Sequence, residues 1–245
     1  MKKEIKNSFI RSKYLSNKHL NYFDVYDDLL NRFIGEEIIF VEIGVLNGGS
    51  LFMWRDFLGK KARIIGIDLN PEVKKFEKDG FEIFIGNQED PNFWVSFFKK
   101  IGPVDVVLDD GGHTNKQQII TTQQCIDNIN DEGLFIVEDT HTSYMEQFGN
   151  PSDGSFINFS KKNIDYINYR FPKIGEQKKP YYNSIFSISF FESIVCYKIN
   201  RKFCRENLPV KNEGIDFKHR DFRYGDPNKN KDLLNELIDG LKENN

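Results

Sequence analysis

The sequence predicts an α/β fold built on a doubly wound, mostly parallel sheet of seven strands, the last two forming an antiparallel edge hairpin. Three observations predict it. Short apolar runs rich in isoleucine, valine and phenylalanine alternate with stretches of helical periodicity between residues 38 and 171. The runs are apolar on both faces, as strands covered by helices on both sides must be. Several end abruptly in carboxylates, glycines or amides, where open α/β sheets place their ligands.

Residues 1–20 are polar and basic, with Lys13, Lys18 and His19 among them. Tyr22, Phe23, Tyr26, Leu29 and Leu30 then recur at helical spacing, with Asn21 or Asp24 as candidate cap. Residues 1–35 therefore form a helical segment, either packed on the main domain or acting as a flap that uses Tyr22 or Tyr26. Ile38–Ile43 is the first strand, and Gly44, Gly48 and Gly49 make a turn that lets backbone approach a ligand. Ser50 is expected to cap a helix through Leu51, Met53, Trp54, Phe57 and Leu58. The spacing Glu42-x-Gly44-x-x-x-Gly48 does not match the G-x-G-x-x-G of dinucleotide sites. Arg63–Asp68 is the second strand; its terminal Asp68 is placed for ribose hydroxyls, or else caps a helix after Pro71. Phe81–Gly86 is the third, and Asn87, Gln88, Glu89 and Asp90 either meet an adenine edge or build a turn.

The fourth strand runs through Val106–Leu108 into Asp109-Asp110-Gly-Gly-His113, and the fifth, Gly133–Val137, runs into Glu138-Asp139-Thr-His141-Thr-Ser-Tyr144. Adjacent residues of an extended chain point to opposite faces, so each pair can serve two tasks. Two neighbouring strands that each end in a carboxylate pair bring oxygen ligands to one rim, a set suited to Mg²⁺, Mn²⁺ or Ca²⁺. One pair alone would read as helix capping; two pairs with His113 favour a metal. Between them Ile119, Ile120, Cys125 and Ile126 mark a helix. Asn150–Gly154 is a loop, Phe156–Phe171 a helix, and Lys173–Lys179 exposed and polar. Ile185–Phe190 and Ile194–Ile199 form the hairpin. Residues 201–230 are charged, with Lys218, Arg220 and Arg223 near Tyr224, either as a solvated extension or as a contact for phosphate or a neighbouring subunit. Leu233–Leu241 is a last helix.

Composition narrows the function classes. Twenty-three phenylalanines supply ample core, and a formal charge of −3 with a pI near 5.9 argues against a dedicated nucleic-acid binder. Cys125, Cys196 and Cys204 have no metal-type spacing, which predicts reduced thiols and a cytoplasmic location. No apolar segment follows the basic start, so neither a signal peptide nor a membrane span is expected.

The order of Glu42-Ile-Gly44, Ser50-Leu-Phe-Met-Trp54, Asp68, Gly86-Asn-Gln-Glu-Asp90-Pro91, Asp109-Asp-Gly-Gly-His113 and Glu138-Asp-Thr-His-Thr-Ser-Tyr144 resembles a metal-dependent branch of the class I S-adenosylmethionine methyltransferases. That branch includes the macrolide-sugar O-methyltransferases of the mycinamicin type and relatives named after cephalosporin hydroxylase. The resemblance covers roughly residues 15–200 and departs from the family at Gly112, where serine is common. It implies a Rossmann-like methyltransferase domain over residues 36–200, followed by a charged extension over 201–245. It implies Asp110, Glu138 and Asp139 as ligands of Mg²⁺ or Mn²⁺, and His113 as general base. Glu42, Gly44, Asp68, Asn87, Gln88 and Asp109 would hold S-adenosylmethionine; the resemblance assigns His141 no role, and His141 reads either as a support behind the metal ligands or, with Tyr144, as facing the substrate. The expected activity is methyl transfer to a sugar hydroxyl by a homo-oligomer.

Abundant lysine, asparagine, isoleucine and phenylalanine are the usage of an AT-rich genome, unlike that of an antibiotic-producing actinomycete. This turns the expected acceptor toward a nucleotide-linked sugar for surface polysaccharide, with a natural-product sugar as the alternative. Two further readings are a hydroxylase-like oxidoreductase and a non-catalytic binding protein of the same fold. Iron oxygenases typically use two histidines and one carboxylate, and by sequence only His113 sits with these acids.

Overall fold

Strand pairing in the computed structural model, which describes residues 4–148, 152–170, 183–205, 208–215, 222 and 225–243, orders seven strands as β3-β2-β1-β4-β5-β7-β6. These are β1 (Ile39–Ile43), β2 (Arg63–Asp68), β3 (Glu82–Ile85), β4 (Val104–Asp109), β5 (Ile129–Val137), β6 (Ile185–Phe191) and β7 (Ile194–Ile199). β1 to β5 pair in parallel, and β7 runs antiparallel between β5 and β6. The expected hairpin is present with its return strand inserted, so the reversed strand is the inner one and β6 forms the edge. The Rossmann-like sheet follows from the sequence as expected, with each parallel strand apolar on both faces.

Side-chain parity divides the core. Phe40, Ile64, Val106, Leu108, Leu134 and Ile136 pack with α1 (Ile5–Ile10), α2 (Tyr22–Leu30) and α3 (Gly49–Leu58). Val41, Ile65, Val107, Phe135 and Val137 face the other way, onto α4 (Pro91–Ile101), α5 (Asn115–Cys125) and α6 (Phe156–Asn168). Ile5, Tyr22, Tyr26 and Leu30 are fully buried in the first layer, so the N-terminal helices are part of the core. α1 falls where the sequence reads as merely polar and basic; its short length leaves little periodicity to detect.

Two capping expectations are corrected. Gly48, in the left-handed region at φ 78°, occupies the cap position of α3, and Ser50 lies inside the helix with its hydroxyl turned to Glu42. Asn70, not Asp68, caps the 3₁₀ turn Pro71–Asp79. Phe171, Lys173–Lys179, Lys218, Arg220, Arg223 and Tyr224 lie outside the described residues.

The chain divides into two compact units, residues 1–208 and 209–245. The second contains α7 (Pro227–Glu243), which exposes Leu234, Leu237, Ile238 and Leu241. Among the described residues no helix is long and apolar enough to cross a membrane. Cys125, Cys196 and Cys204 are free and buried.

Register sets up the site. Ile43 is level with both Ile67 and Asp109, and Asp109 is level with Val137. The residues that follow these strands therefore share one carboxyl rim, at the point between β1 and β4 where strand order reverses. Ligands of open α/β sheets bind at such a point.

Candidate active site

A cavity of about 430 Å³ opens at this rim, walled by Gly44, Asp68, Gln88, Asp110, His113 and Asp139 among others. Gly44 is confined to glycine twice over. Its φ is +90°, and a Cβ there would lie 2.0 Å from the Asp110 carbonyl oxygen. Asp68 fixes the same loop: its Oδ2 accepts from the Val45 and Leu46 amides at 2.8 and 3.0 Å, and its Oδ1 from the Asn70 amide at 2.8 Å. The Gly49 and Ser50 end of α3 also lines this cavity, and no side chain caps it. Leu15, Ser16 and Asn17 of the N-terminal segment complete one wall.

Three expected cofactor contacts do not reach the cavity wall. Glu42 is buried beneath it, accepting from the Ser50 hydroxyl at 2.8 Å and the Trp54 indole at 2.9 Å. Burial pushes its carboxyl up to about 7. Asp109 turns into the core, where the Gln88 amide donates to it at 3.0 Å, and burial raises it to about 6. Asn87 is exposed and accepts from the Glu89 amide at 2.9 Å, which makes it a turn-builder. Gln88 links the layers, since its Oε1 accepts from the Gly112 amide at 2.9 Å. Gly112 leaves room for Gln117: a Cβ at 112 would lie 2.2 Å from the amide nitrogen of Gln117, which closes a capping box with Thr114. The loop is thus tied at both ends despite lacking the family's serine.

The carboxylates separate by face, as adjacent residues of a strand end must. Asp110 and Glu138 point toward the layer of α1 to α3, and there they meet Lys18. The Lys18 ammonium lies 2.6 Å from Asp110 Oδ2 and 2.7 Å from Glu138 Oε2, with only 2% of its side chain exposed. Burial alone would lower its pKa, but the two carboxylates outweigh that and raise it. Tyr26 donates to the other oxygen of Glu138, and burial pushes that phenol well above its usual range. Glu138 therefore has both oxygens occupied and does not join Asp110 and Asp139 on the cavity side. As a metal ligand it would exchange Lys18 or Tyr26 for the ion, just as Asp110, held by the same ammonium, would exchange Lys18.

Asp139 takes a different course because its backbone is left-handed, at φ 55°. Its carboxylate accepts from the Tyr22 hydroxyl at 2.5 Å and lies 3.4 Å, through Oδ2, from His113 Nε2. His113 is left-handed as well, at φ 59°. Non-glycine residues adopt this conformation uncommonly, aspartate and histidine more readily than most. The Thr142 hydroxyl sits 2.9 Å from the His113 carbonyl and 2.8 Å from that of Asp139, clamping both turns together. Asp110, His113 and Asp139 offer ligand atoms within 4.8 Å of one another. A hard divalent ion fits the two cavity-facing carboxylates, with water completing its shell.

His141 and Tyr144 line a second cavity of about 580 Å³, together with Ile157, Ile164 and Phe190. Lys161 is the one lysine or arginine among the described residues of that wall. His19, from the polar and basic N-terminal stretch, also approaches Asp139, so His113 is not alone with the acids. Lys18 is the residue that sequence reasoning missed. Its signal was available: Lys18, Tyr22 and Tyr26 are spaced by four, and their polar ends all meet the acids of the rim.

No protein-family model matches the chain. It is 30% identical over 154 residues to demethylmacrocin O-methyltransferase of Streptomyces fradiae, covering 59% of this chain and 38% of that protein. It is 29% identical over 180 residues to mycinamicin VI 2''-O-methyltransferase of Micromonospora griseorubida, covering 66% and 44%. A third relative, 8-demethyl-8-alpha-L-rhamnosyl tetracenomycin-C 2'-O-methyltransferase of Streptomyces olivaceus, is 25% identical over 185 residues, covering 71% and 48%. The chain thus spans less than half the length of these relatives. Among solved structures, MycE methyltransferase from the mycinamycin biosynthetic pathway, in complex with Mg and SAH, superposes with a TM-score of 0.72 at 22% identity, covering 82% of this chain and 55% of MycE. The relatives are the sugar O-methyltransferases that the motifs resemble, and the fold is shared with MycE.

Proposed function

We propose, from the class I methyltransferase fold as premise, that this chain transfers a methyl group from S-adenosylmethionine to a sugar hydroxyl with the help of a divalent metal ion. The observation that carries the reading is the meeting, at one rim, of a glycine-gated cavity with Asp110, His113 and Asp139 in its wall. The sugar O-methyltransferases among its relatives support the same chemistry.

Gly44, Asp68 and Gln88 would hold the cofactor, whose sulfonium supplies the methyl group. Asp110 and Asp139 would hold Mg²⁺ or Mn²⁺, which when bound lowers the pKa of an acceptor hydroxyl and fixes its direction. Everything else falls to the chain. Asp139 orients the His113 ring through Nε2, and the imidazole takes the hydroxyl proton as general base. Lys18 and Tyr26 hold Glu138 behind the site, which keeps the buried acid partnered. His141 and Tyr144, at the apolar second cavity, would receive the acceptor.

That lining bears on the acceptor. A nucleotide diphosphate calls for several cations, and among the described residues of this wall Lys161 is the one lysine or arginine to meet it. An apolar wall of Ile157, Ile164 and Phe190 suits a sugar with an apolar face or carrier. Calorimetric titration with S-adenosylhomocysteine, with and without Mg²⁺, tests the cofactor half of this reading. Wild type should bind it, and Asp68→Ala should lose at least ~10-fold in affinity, because the cofactor and the loop depend on one carboxylate. Absence of binding by wild type in both conditions would overturn methyl transfer and favour a binding protein of the same fold.

A further inference from the structure

His19, Asp139 and His141 form a cluster beside the proposed methyl-transfer site, sharing Asp139 with it and His141 with the acceptor cavity. His19 Nε2 lies 3.9 Å, and His141 Nδ1 4.0 Å, from Asp139 Oδ1. All three ligand atoms fall within 4.8 Å of one another. Those separations are too long for hydrogen bonds; they exceed by a few tenths of an ångström the roughly 3.3–3.6 Å between tetrahedral ligands bound at about 2.0–2.2 Å, so the exposed His19 ring would close in on a first-row ion. The two rings meet edge to face at 5.6 Å, so neither blocks the other's nitrogen by stacking.

Two independent observations point to a ligand here. His141 Nδ1 is buried, and among the described residues it has no hydrogen-bond partner; buried polar atoms are almost always satisfied. Asp139 also divides its carboxylate: Oδ2 faces His113, whereas Oδ1 faces His19 and His141. Tyr22 donates to Oδ1 at 2.5 Å and fixes that orientation while leaving a lone pair. The left-handed backbone at φ 55° is what turns this carboxylate between the two sides.

We infer that His19, Asp139 and His141 form a second cation site, bridged by Asp139 to the Asp110 side. Two imidazoles and one carboxylate make a softer set than carboxylates and water, so the site takes a first-row divalent ion from Mn²⁺ to Zn²⁺ in preference to Mg²⁺. Because His141 also lines the second cavity, an ion held here faces the proposed acceptor. The inference rests on the metal reading above only through the shared Asp139.

Cobalt(II) is the probe. Wild-type protein in excess Mg²⁺ is titrated with Co²⁺, followed by calorimetry and by visible absorption, which reports nitrogen ligation. The expected result is one Co²⁺ per chain that excess Mg²⁺ does not displace. His19→Ala and His141→Ala should each weaken Co²⁺ by at least ~10-fold, the scale of losing one imidazole ligand, with Mg²⁺ affinity unchanged. Asp139→Asn should weaken both ions. His19 is 62% exposed on its side chain, so its replacement leaves folding intact even if that of His141 does not. Displacement of Co²⁺ by Mg²⁺, or Co²⁺ affinity unaltered in His19→Ala, overturns the inference. Failure of the methyltransferase reading has a separate signature, namely no S-adenosylhomocysteine binding while Co²⁺ still binds.

Discussion

Glu42, Asp109 and Glu138 are carboxyl groups that the fold takes out of water, and each survives there by being given donors: Ser50 and Trp54, Gln88, and Lys18 with Tyr26. Asp110 and Asp139, their chain neighbours, are left facing the cavity. Burial has a measurable consequence at Glu42, whose carboxyl rises from 4.5 to about 7. Above pH 4.5 the unfolded chain releases this proton while the folded chain keeps it. The folded state then binds more protons, so stability falls as pH climbs from 4.5 to about 7. At ~1.36 kcal/mol per unit the effect is about 3 kcal/mol. Glu42→Gln removes the titration, and urea unfolding across this range should show a flatter curve; an unaltered slope would contradict a proton held by Glu42. At this scale the chemistry of the rim was legible in the sequence, because acids, glycines and histidine gather where strands stop. Which acid faces which way was less so. Alternation predicts that Asp109 and Asp110 diverge, but the left-handed turn at Asp139, a conformation aspartate tolerates better than most residues, is one of many such sites the sequence offers and is not singled out by it.

At the scale of elements, the N-terminal segment is the one whose role changes most between sequence and structure. Periodicity finds α2 and its buried face. It does not find that the strip from Lys18 to Tyr26 reaches across more than ninety residues of chain to the acids after β4 and β5. Long-range pairing of this kind leaves no local pattern, since a lysine in a polar stretch looks solvated. Removing the cation should leave Asp110 and Glu138 facing each other in a buried pocket. Lys18→Met is therefore expected to cost about 3–5 kcal/mol in chelator-treated protein, the scale for breaking a buried ion pair from one side. Denaturant unfolding measures it. A loss below about 1 kcal/mol, the range of exposed pairs, would show that Lys18 is not the buried counter-ion described here. The strands, by contrast, were read from sequence with end shifts of a few residues, because apolar runs bounded by glycine or acid need no tertiary information.

For the whole molecule, topology explains why unlike motifs act together. Five parallel strands bring Gly44, Asp68, Asp110 and Asp139 to one rim although 95 positions separate the first from the last. That much is dictated by strand order, and alternation of elements reveals it. The acceptor is not encoded in the same way. Its cavity is built from α6, the hairpin and the turn after β5, whose side chains form a wall only once folded. Residue usage pointed to a nucleotide-linked sugar, whereas the proposed acceptor, a sugar with an apolar face or carrier, rests on the apolar wall. The central claim is that this rim moves a methyl group to a sugar hydroxyl with His113 as base. The most direct measurement is methyl transfer from isotopically labelled S-adenosylmethionine, with Mg²⁺, to glycosylated natural products and nucleotide sugars, using wild type and His113→Ala. Label should appear on a sugar hydroxyl with wild type. His113→Ala should bind cofactor normally and turn over at least ~10²-fold more slowly, the usual loss for an acid–base group. Turnover by His113→Ala at the wild-type rate would contradict the account.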